Sequence, residues 1–262
     1  MTLKTHLLLL PVVLLVYLGL LAPLIVVIGV SFNAGSGLTF PPAGLSLRWY
    51  AAFAANDGFV RAFFAVSLPV ALLTAIAATA IGLLAAIGIV RFRFPGQKAL
   101  ETFFLTPVFI PHILLGMALY LYYARLGFKA SVLSLALGHL VICAPYVVRT
   151  IAASLAGINP RLEEAARSLG AGPVQAFVKV VMPLLFSSMM SGMTFAFIIS
   201  FSDINLSMFL SGPGVSTLPL QILAQLQWGG DPTIAAASAL QILVVGGLLA
   251  MVQRLFGLKT SV

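Results

Sequence analysis

Charged residues are scarce in this chain. They make up 8% of its 262 residues, whereas 61% of the residues are hydrophobic and the mean hydropathy is +1.13. An ordinary soluble domain carries about 25% charged residues. The composition therefore excludes a soluble globular domain and predicts a protein of the lipid bilayer.

Cysteine, histidine and acidic residues are also few. The one cysteine, Cys143, lies within an apolar run, so no internal disulfide is possible and redox chemistry is not expected. Six acidic residues and three histidines leave little material for a catalytic site. The sequence has no zinc-ligand spacing, phosphate-binding loop or nucleophile elbow. We therefore expect no catalytic residue, no bound metal and no cofactor in this chain.

Six apolar segments are long enough to cross a hydrocarbon core, and they predict an all-α membrane protein with one transmembrane domain over residues 1–262. The predicted helices span about residues 7–31, 60–90, 99–124, 131–155, 180–210 and 233–256. The first follows a short start with Lys4, as a signal peptide would. It is long for a signal peptide and lacks a clear cleavage site, so we interpret it as a retained membrane helix.

Six crossings place both termini on one side of the membrane, and the basic residues indicate which side. Ten basic residues fall on the side of the termini and four on the other. The ten are Lys4, Arg91, Arg93, Lys98, Arg149, Arg161, Arg167, Lys179, Arg254 and Lys259, and the four are Arg48, Arg61, Arg125 and Lys129. Because basic residues are enriched in cytoplasmic loops, both termini are predicted to be cytoplasmic. This distribution accounts for the net charge of +8 without a nucleic-acid partner.

Residues 159–183 form the one long polar interruption whose residues predict a short helix. Asn159 can cap the start of this helix, and Pro160 suits its first position. Gly170 can adopt the left-handed conformation that ends a helix, and Pro173 prevents continuation. A helix of about ten residues is too short to persist alone, so its own protein or a partner must hold it.

The side chains of this short helix are sorted by type. Glu163 and Glu164 lie in the first turns, where the helix dipole favours carboxylates, and Glu163 and Arg167 have the spacing of an i,i+4 ion pair. One narrow face carries small and apolar residues suited to close contact: Leu162, Ala165, Ala166 and Leu169.

The spacing of the segment resembles the EAA loop of ABC importer permeases, in which EAA is followed by three residues, Gly, nine residues, Ile, any residue and Leu-Pro. The matching residues are Glu164, Ala165, Ala166, Gly170, Val180, Met182 and Pro183, with Val180 and Met182 as apolar replacements. The resemblance implies a coupling helix that docks into a groove of a cytoplasmic ATPase. In that case Glu164 helps to anchor the helix and Gly170 sets the turn behind it. The alternative is an ordinary amphipathic helix at the membrane interface.

The resemblance covers most of the chain and implies the type I ABC importer permease fold in a bacterial inner membrane. The implied partners are a dimer of ATPase subunits, a second permease subunit expected to be a different chain, an external solute-binding protein and membrane lipid. ATP and Mg would bind the ATPase, because this chain has no nucleotide motif. The implied mechanism is alternating access. An ATP-independent secondary transporter or channel is the main alternative, although one acidic residue away from the ends of the predicted spans is little material for ion coupling.

That acidic residue is Asp203, and Ser202 and Asn205 add polar groups beside it. An ionisable residue within a membrane is costly and faces a cavity or a partner. Asp203 either meets the solute, or it pairs with a basic residue of a partner subunit or caps a helix end. His112, next to Pro111, either faces the pathway at a kink or is a hydrogen-bonded packing residue.

Residues 202–203 and 211–221 resemble the spermidine/putrescine branch of the permease family. His112 departs from that branch, in which an acidic residue often follows the proline, and this weakens the case for a polycation. Relatives for aminoethylphosphonate, ferric iron and other small solutes share much of the pattern. The identity of the solute therefore stays open.

Overall fold

The computed structural model describes residues 3–256, with side chains for residues 10–255. Thirteen α-helices lie in the described range. Two basic residues that support the cytoplasmic placement of the termini, Lys4 and Lys259, have side chains outside the described residues. The placement of the termini stays a prediction.

The long helices follow the predicted spans, and shorter elements lie between them. The α-helices are α1 Leu3–Ser31, α2 Arg48–Ala55, α3 Asp57–Val60, α4 Leu68–Arg91, α5 Gln97–Leu105, α6 His112–Leu126, α7 Val132–Gly157, α8 Arg161–Ser168, α9 Pro173–Ala176, α10 Met182–Ser202, α11 Ser207–Leu210, α12 Leu218–Gln227 and α13 Thr233–Phe256. The intervening turns are π-helical at Arg61–Ser67 and Phe177–Val181 and 3₁₀ at Thr106–Phe109.

Five of these segments are long and apolar enough to cross a membrane. They are Leu10–Ser31, Asp57–Arg91, Val132–Gly157, Pro173–Ser202 and Thr233–Leu255. A sixth crossing exists if α5 and α6, which are bent relative to each other, form one span. The predicted all-helical architecture with several apolar helices is confirmed, and the count of six stays a prediction.

The predicted helix over residues 99–124 is interrupted. Residues Gln97–Phe109 and His112–Leu126 form two segments inclined by 107°. Ile110 is extended, with φ −94° and ψ 127°, because the residue before a proline is sterically excluded from the helical region. Pro111 also lacks the N–H that a continuous helix would need. The chain therefore turns here, and α6 begins at His112.

The predicted helix over residues 180–210 is also interrupted. α10 ends at Ser202, and Asp203 is extended, with φ −73° and ψ 130°. The following turn, α11, is a separate element. The N–H groups of Leu206 and Ser207, after the break, donate hydrogen bonds to the carboxylate of Asp203. This side-chain acceptor takes the place of the backbone carbonyl groups of a continuous helix.

Contacts divide the chain into two compact units. The first comprises the residues up to Arg61 together with Gln221–Gly246. In this unit α1 has no buried residue in its most apolar window. The loop after α1 is organised by Asn33, whose carbonyl accepts a hydrogen bond from Trp49 Nε1 at 2.8 Å. Its side-chain oxygen accepts from the Ala43 N–H at 3.0 Å, so this loop has a defined conformation.

The second unit, Ala62–Leu220 with the chain from Gly247 onwards, contains a core of α4, α7 and α10. Val147 of α7 lies between Gly82 of α4 and Gly192 of α10. A Cβ atom would lie 2.7 Å from Val147 Cγ1 if added at Gly82, and 3.2 Å from it if added at Gly192. Small residues at such positions let membrane helices approach closely. This core positions the elements described below.

We expect Gly82→Val to lower the thermal stability of the purified protein. The new Cβ would also lie 3.3 Å from the backbone carbon of Val147, so rotation of one side chain cannot relieve the overlap, and such overpacking costs about 1–3 kcal/mol. Gly88→Val is the matched control, because it lies on the same helix with nothing within 4 Å of its Cβ position. Thermal melting in detergent measures both variants, and equal melting temperatures would contradict this packing.

Candidate coupling surface and polar cluster

The short helix α8 begins and ends at the residues that the sequence predicts. Asn159 Oδ1 accepts a hydrogen bond from the N–H of Arg161 at 3.0 Å. Pro160 has helical dihedral angles directly before α8. Gly170 has φ +92°, in the left-handed region, and Pro173 begins α9. The predicted start and end of the short helix are confirmed.

Most of the apolar face of α8 is exposed, and of its four residues Ala166 is half-buried. Leu162 is 47% exposed, Ala165 is exposed and Leu169 is 90% exposed. The opposite, polar face lines a cavity of about 570 Å³ beside the end of α4. Its residues there are Glu163, Glu164 and Arg167. A surface helix ordinarily buries its apolar face. This exposed apolar face is therefore available to a partner protein or to the membrane interface.

Glu163 pairs with Arg91 and not with Arg167. Nη2 of Arg91, the last residue of α4, lies 3.4 Å from Oε2 of Glu163, and the two side chains are 21% and 24% exposed. Among residues 10–255 no ion pair joins Glu163 to Arg167, so the predicted i,i+4 pair is wrong. A partly buried pair is less screened by water than an exposed pair on one helix, which favours the contact with Arg91.

The rest of the EAA spacing forms the entry to α10. Val180 lies in the π-helical turn, and Pro183 is the second residue of α10, which continues directly from that turn. Ala166, Gly170 and Val180 line a second cavity of about 280 Å³. The residues of the spacing therefore lie in one continuous segment from α8 to α10.

A separate group of polar side chains lies where the two interrupted helices meet. Asp203 Oδ2 accepts hydrogen bonds from the N–H groups of Leu206 at 2.9 Å and Ser207 at 3.1 Å. Its Oδ1 lies 3.4 Å from His112 Nδ1 at the start of α6. Asp203 is 8% exposed. The carboxylate therefore caps α11, as one of the two interpretations proposed, and a contact with solute stays a prediction.

His139 of α7 holds the same region from the other side. The ring is fully buried, with Nδ1 2.7 Å from Ser200 Oγ and Nε2 3.1 Å from Ser207 Oγ. Because Ser200 is on α10 and Ser207 on α11, one imidazole bridges the break at Asp203. A single histidine in an apolar helix belongs to no sequence pattern, so this bridging role of His139 was not predicted. The serines on both sides of Asp203 were the available signal.

Ser202 and Asn205 lie beside this cluster with exposed side chains. α6 approaches the break closely, because a Cβ added at Gly116 would lie 3.1 Å from the Cα of Leu206 and 3.4 Å from the carbonyl oxygen of Asn205. Within the described residues no group of three His, Cys, Asp or Glu side chains is placed to hold a metal ion. Hydrogen bonds therefore join α7, α10 and α11 here, and α6 meets them through the contact of His112 with Asp203 and the close approach at Gly116.

Solved structures with a similar fold are ABC transporters. A chain of a bacterial ABC transporter involved in the import of the acidic polysaccharide alginate matches with a TM-score of 0.75 and 16% identity, over 98% of both chains. A chain of the MetNI methionine ABC transporter matches with a TM-score of 0.60 and 20% identity, over 77% of this chain and 98% of that one. This chain therefore shares its fold with chains of ABC transporters.

The family described as "Binding-protein-dependent transport system inner membrane component" matches residues 78–262, and this chain belongs to that family. It is 33% identical to the putrescine transport system permease protein PotI of Escherichia coli strain K12, over 90% of this chain and 85% of the relative. It is also 33% identical to the spermidine/putrescine transport system permease protein PotC of Haemophilus influenzae, over 91% and 92%. The chain is thus a permease component of an ABC importer, and the resemblance to the spermidine/putrescine branch is confirmed.

Proposed function

We propose that this chain moves a small solute into a bacterial cell across the inner membrane, driven by ATP hydrolysis on separate subunits. The observation that carries this proposal is the outward apolar face of α8, with Leu169 90% exposed, at the position of the EAA spacing. A cytoplasmic ATPase dimer, which would bind ATP and Mg, covers this face. Closure of the dimer moves α8, and the pathway opens alternately to each side.

The proposed assembly contains this chain, a different second permease, the ATPase dimer and an external solute-binding protein. α5 and α6 together form one crossing, which gives six spans with both termini in the cytoplasm. The asymmetry of ten basic residues against four supports this topology. The exposed apolar surface of α1 contacts lipid or the second permease.

The proposed solute is a small amine of the polyamine class, with aminoethylphosphonate as a related candidate. The relatives at 33% identity that are described as putrescine and spermidine/putrescine permeases support this class. Asp203 and His112 are the proposed pathway residues, and Ser202 and Asn205 provide exposed polar groups next to them. A carboxylate at this depth attracts an ammonium group.

Purification of the complex from native membranes, followed by reconstitution into vesicles, tests the proposal. Mass spectrometry identifies an ATPase and a second permease, and uptake of labelled putrescine requires both internal ATP and the binding protein. Uptake that is driven by an ion gradient without ATP would reject the proposal in favour of a secondary transporter. ATP-dependent uptake of another solute would reject only the polyamine class.

The docking surface on α8 predicts a specific effect of Leu169→Ser on assembly. Burying a leucine side chain contributes about 1.5–3 kcal/mol, which corresponds to at least about ten-fold weaker binding of the ATPase when it is lost. Leu45→Ser is the control, because Leu45 is 81% exposed on the predicted external side. Titration of the ATPase against both purified variants gives the affinities, and unchanged binding of the Leu169 variant would contradict this docking surface.

A further inference from the structure

We propose that Arg91 is a positioning residue that ties α8 to α4 through Glu163 and thereby transmits the movement of the coupling helix to the membrane core. This inference rests on the proposed function. It concerns two residues that both lie outside the EAA spacing, and the contact between them joins two elements that are distant in the sequence. Neither residue is assigned a contact with solute or ATP.

The contact is placed where the rigid core of the second unit ends. Arg91 is the last residue of α4, which packs against α7 and α10. Its guanidinium lies at the negative end of the α4 dipole, and Glu163 lies in the first turn of α8, at the positive end of that helix. Both charges are thus in locations that favour them, and together they form a bridge between the two helix ends.

The guanidinium of Arg91 depends on this bridge. Within residues 10–255, Nε and Nη2 of Arg91 are buried atoms without a hydrogen-bond partner, and Glu163 Oε2 at 3.4 Å is the carboxylate paired with Nη2. A partly buried cationic group is destabilised when it loses its counter-charge, by less than a fully buried one would be. Removal of the Glu163 charge therefore leaves the positive charge of Arg91 without its counter-charge. The contact between the end of α4 and α8 is then lost.

The direction of Glu163 also sets the rotation of α8. Successive helical residues are about 100° apart, so a Glu163 side chain that is held towards α4 directs Leu162, Ala165 and Leu169 outwards. α8 itself has no buried residue that could fix this rotation by packing. Glu164 and Arg167 line the same cavity as the pair, and their charges change the local field without replacing the 3.4 Å contact.

Loss of the Arg91–Glu163 pair should uncouple ATP hydrolysis from solute import, while the subunits of the complex stay bound to one another. The apolar face of α8 still binds the ATPase, but movement of α8 no longer reaches α4 with the same fidelity. The predicted signature is a higher number of ATP molecules hydrolysed per solute imported. A residue that served only the stability of the fold would lower the amount of complex and leave this ratio unchanged.

The experiment compares Arg91→Glu, Glu163→Arg and the variant with both substitutions in the reconstituted complex. We expect each single variant to import at least about ten-fold less solute per ATP, and the double variant to recover most of the loss because the opposite charges are restored. Glu163→Gln keeps the side-chain shape and tests the charge if a reversed charge prevents folding. Arg93→Glu is the control, because Arg93 is exposed beyond the end of α4.

The outcomes separate this inference from the proposed function. If the single variants and Glu163→Gln form an active complex with normal import per ATP, the proposed role of the Arg91–Glu163 pair is rejected and the proposed function is not affected. A double variant that stays as impaired as the single variants would also overturn that role. Absence of ATP-dependent uptake by the unsubstituted complex would overturn the proposed function, and the tie with it.

Discussion

Gly170→Val is expected to abolish ATP-driven uptake while the protein still inserts into the membrane. Gly170 has φ +92°, a conformation that a β-branched residue adopts only with strain of about 1–3 kcal/mol. No heavy atom lies within 4 Å of its Cβ position, so the strain comes from the backbone alone. The chain relieves it by changing the turn after α8, which misdirects the docking surface. Uptake by vesicles and the amount of protein in the membrane fraction measure the two effects.

Gly172→Val is the matched control for this experiment. Gly172 lies two residues later and also has open space around its Cβ position, but its φ of −66° and ψ of 163° are accessible to valine. We expect near-normal uptake from the control. Retained uptake in the Gly170 variant, or the same loss in both variants, would show that the left-handed turn is not required for coupling.

The turn at Gly170 was predictable because each of its determinants acts locally. Asn159 caps the N–H two residues later, the residue at 170 supplies a left-handed dihedral angle, and Pro173 starts the next helix. None of these effects needs a distant part of the chain. The amphipathic pattern of α8 also predicted which residues share a face, although the sequence does not tell whether that face is covered.

The ion pair of Glu163 was not predictable in the same way. The sequence offers Arg167 at the correct helical spacing, and the preference for Arg91 depends on where α4 ends relative to α8. His139 is a similar case, because its partner Ser200 is 61 positions away. Contacts of this kind depend on how helices pack against one another. They leave no regular spacing of residues in the sequence from which they could be predicted.

The break before α6 shows a different limit. Pro107 and Pro111 were visible in the sequence, but a proline in a membrane helix is compatible with a continuous helix when neighbouring groups satisfy the freed backbone. The bend of 107° arises because residues 110 and 111 are both extended. The prolines alone do not distinguish a kink from a full turn, and the close approach of α6 to residues 205–206 at Gly116 is a contact between segments that are distant in the sequence.

Asp203→Ala is expected to lower the thermal stability of the permease and to abolish uptake. The N–H groups of Leu206 and Ser207 would lose their acceptor in a buried location, and each unsatisfied buried group costs about 1–3 kcal/mol. His112 would lose the carboxylate that lies 3.4 Å from its Nδ1. The joint between α6 and α10 would therefore loosen. Thermal melting in detergent and uptake by vesicles measure the two losses.

Asp203→Asn separates the capping role from the charge. An amide oxygen still accepts from the two N–H groups, so the asparagine variant should melt closer to the unsubstituted protein than the alanine variant does. If uptake is nevertheless lost, the negative charge is required and the pathway role of Asp203 is supported. Normal uptake would reject that role and leave capping as the function of the residue. Asp231→Asn is the control, because Asp231 is itself exposed and its Oδ1 accepts a hydrogen bond from the N–H of Thr233 at 2.9 Å, which an asparagine oxygen can also accept. Neither stability nor uptake should change in this variant.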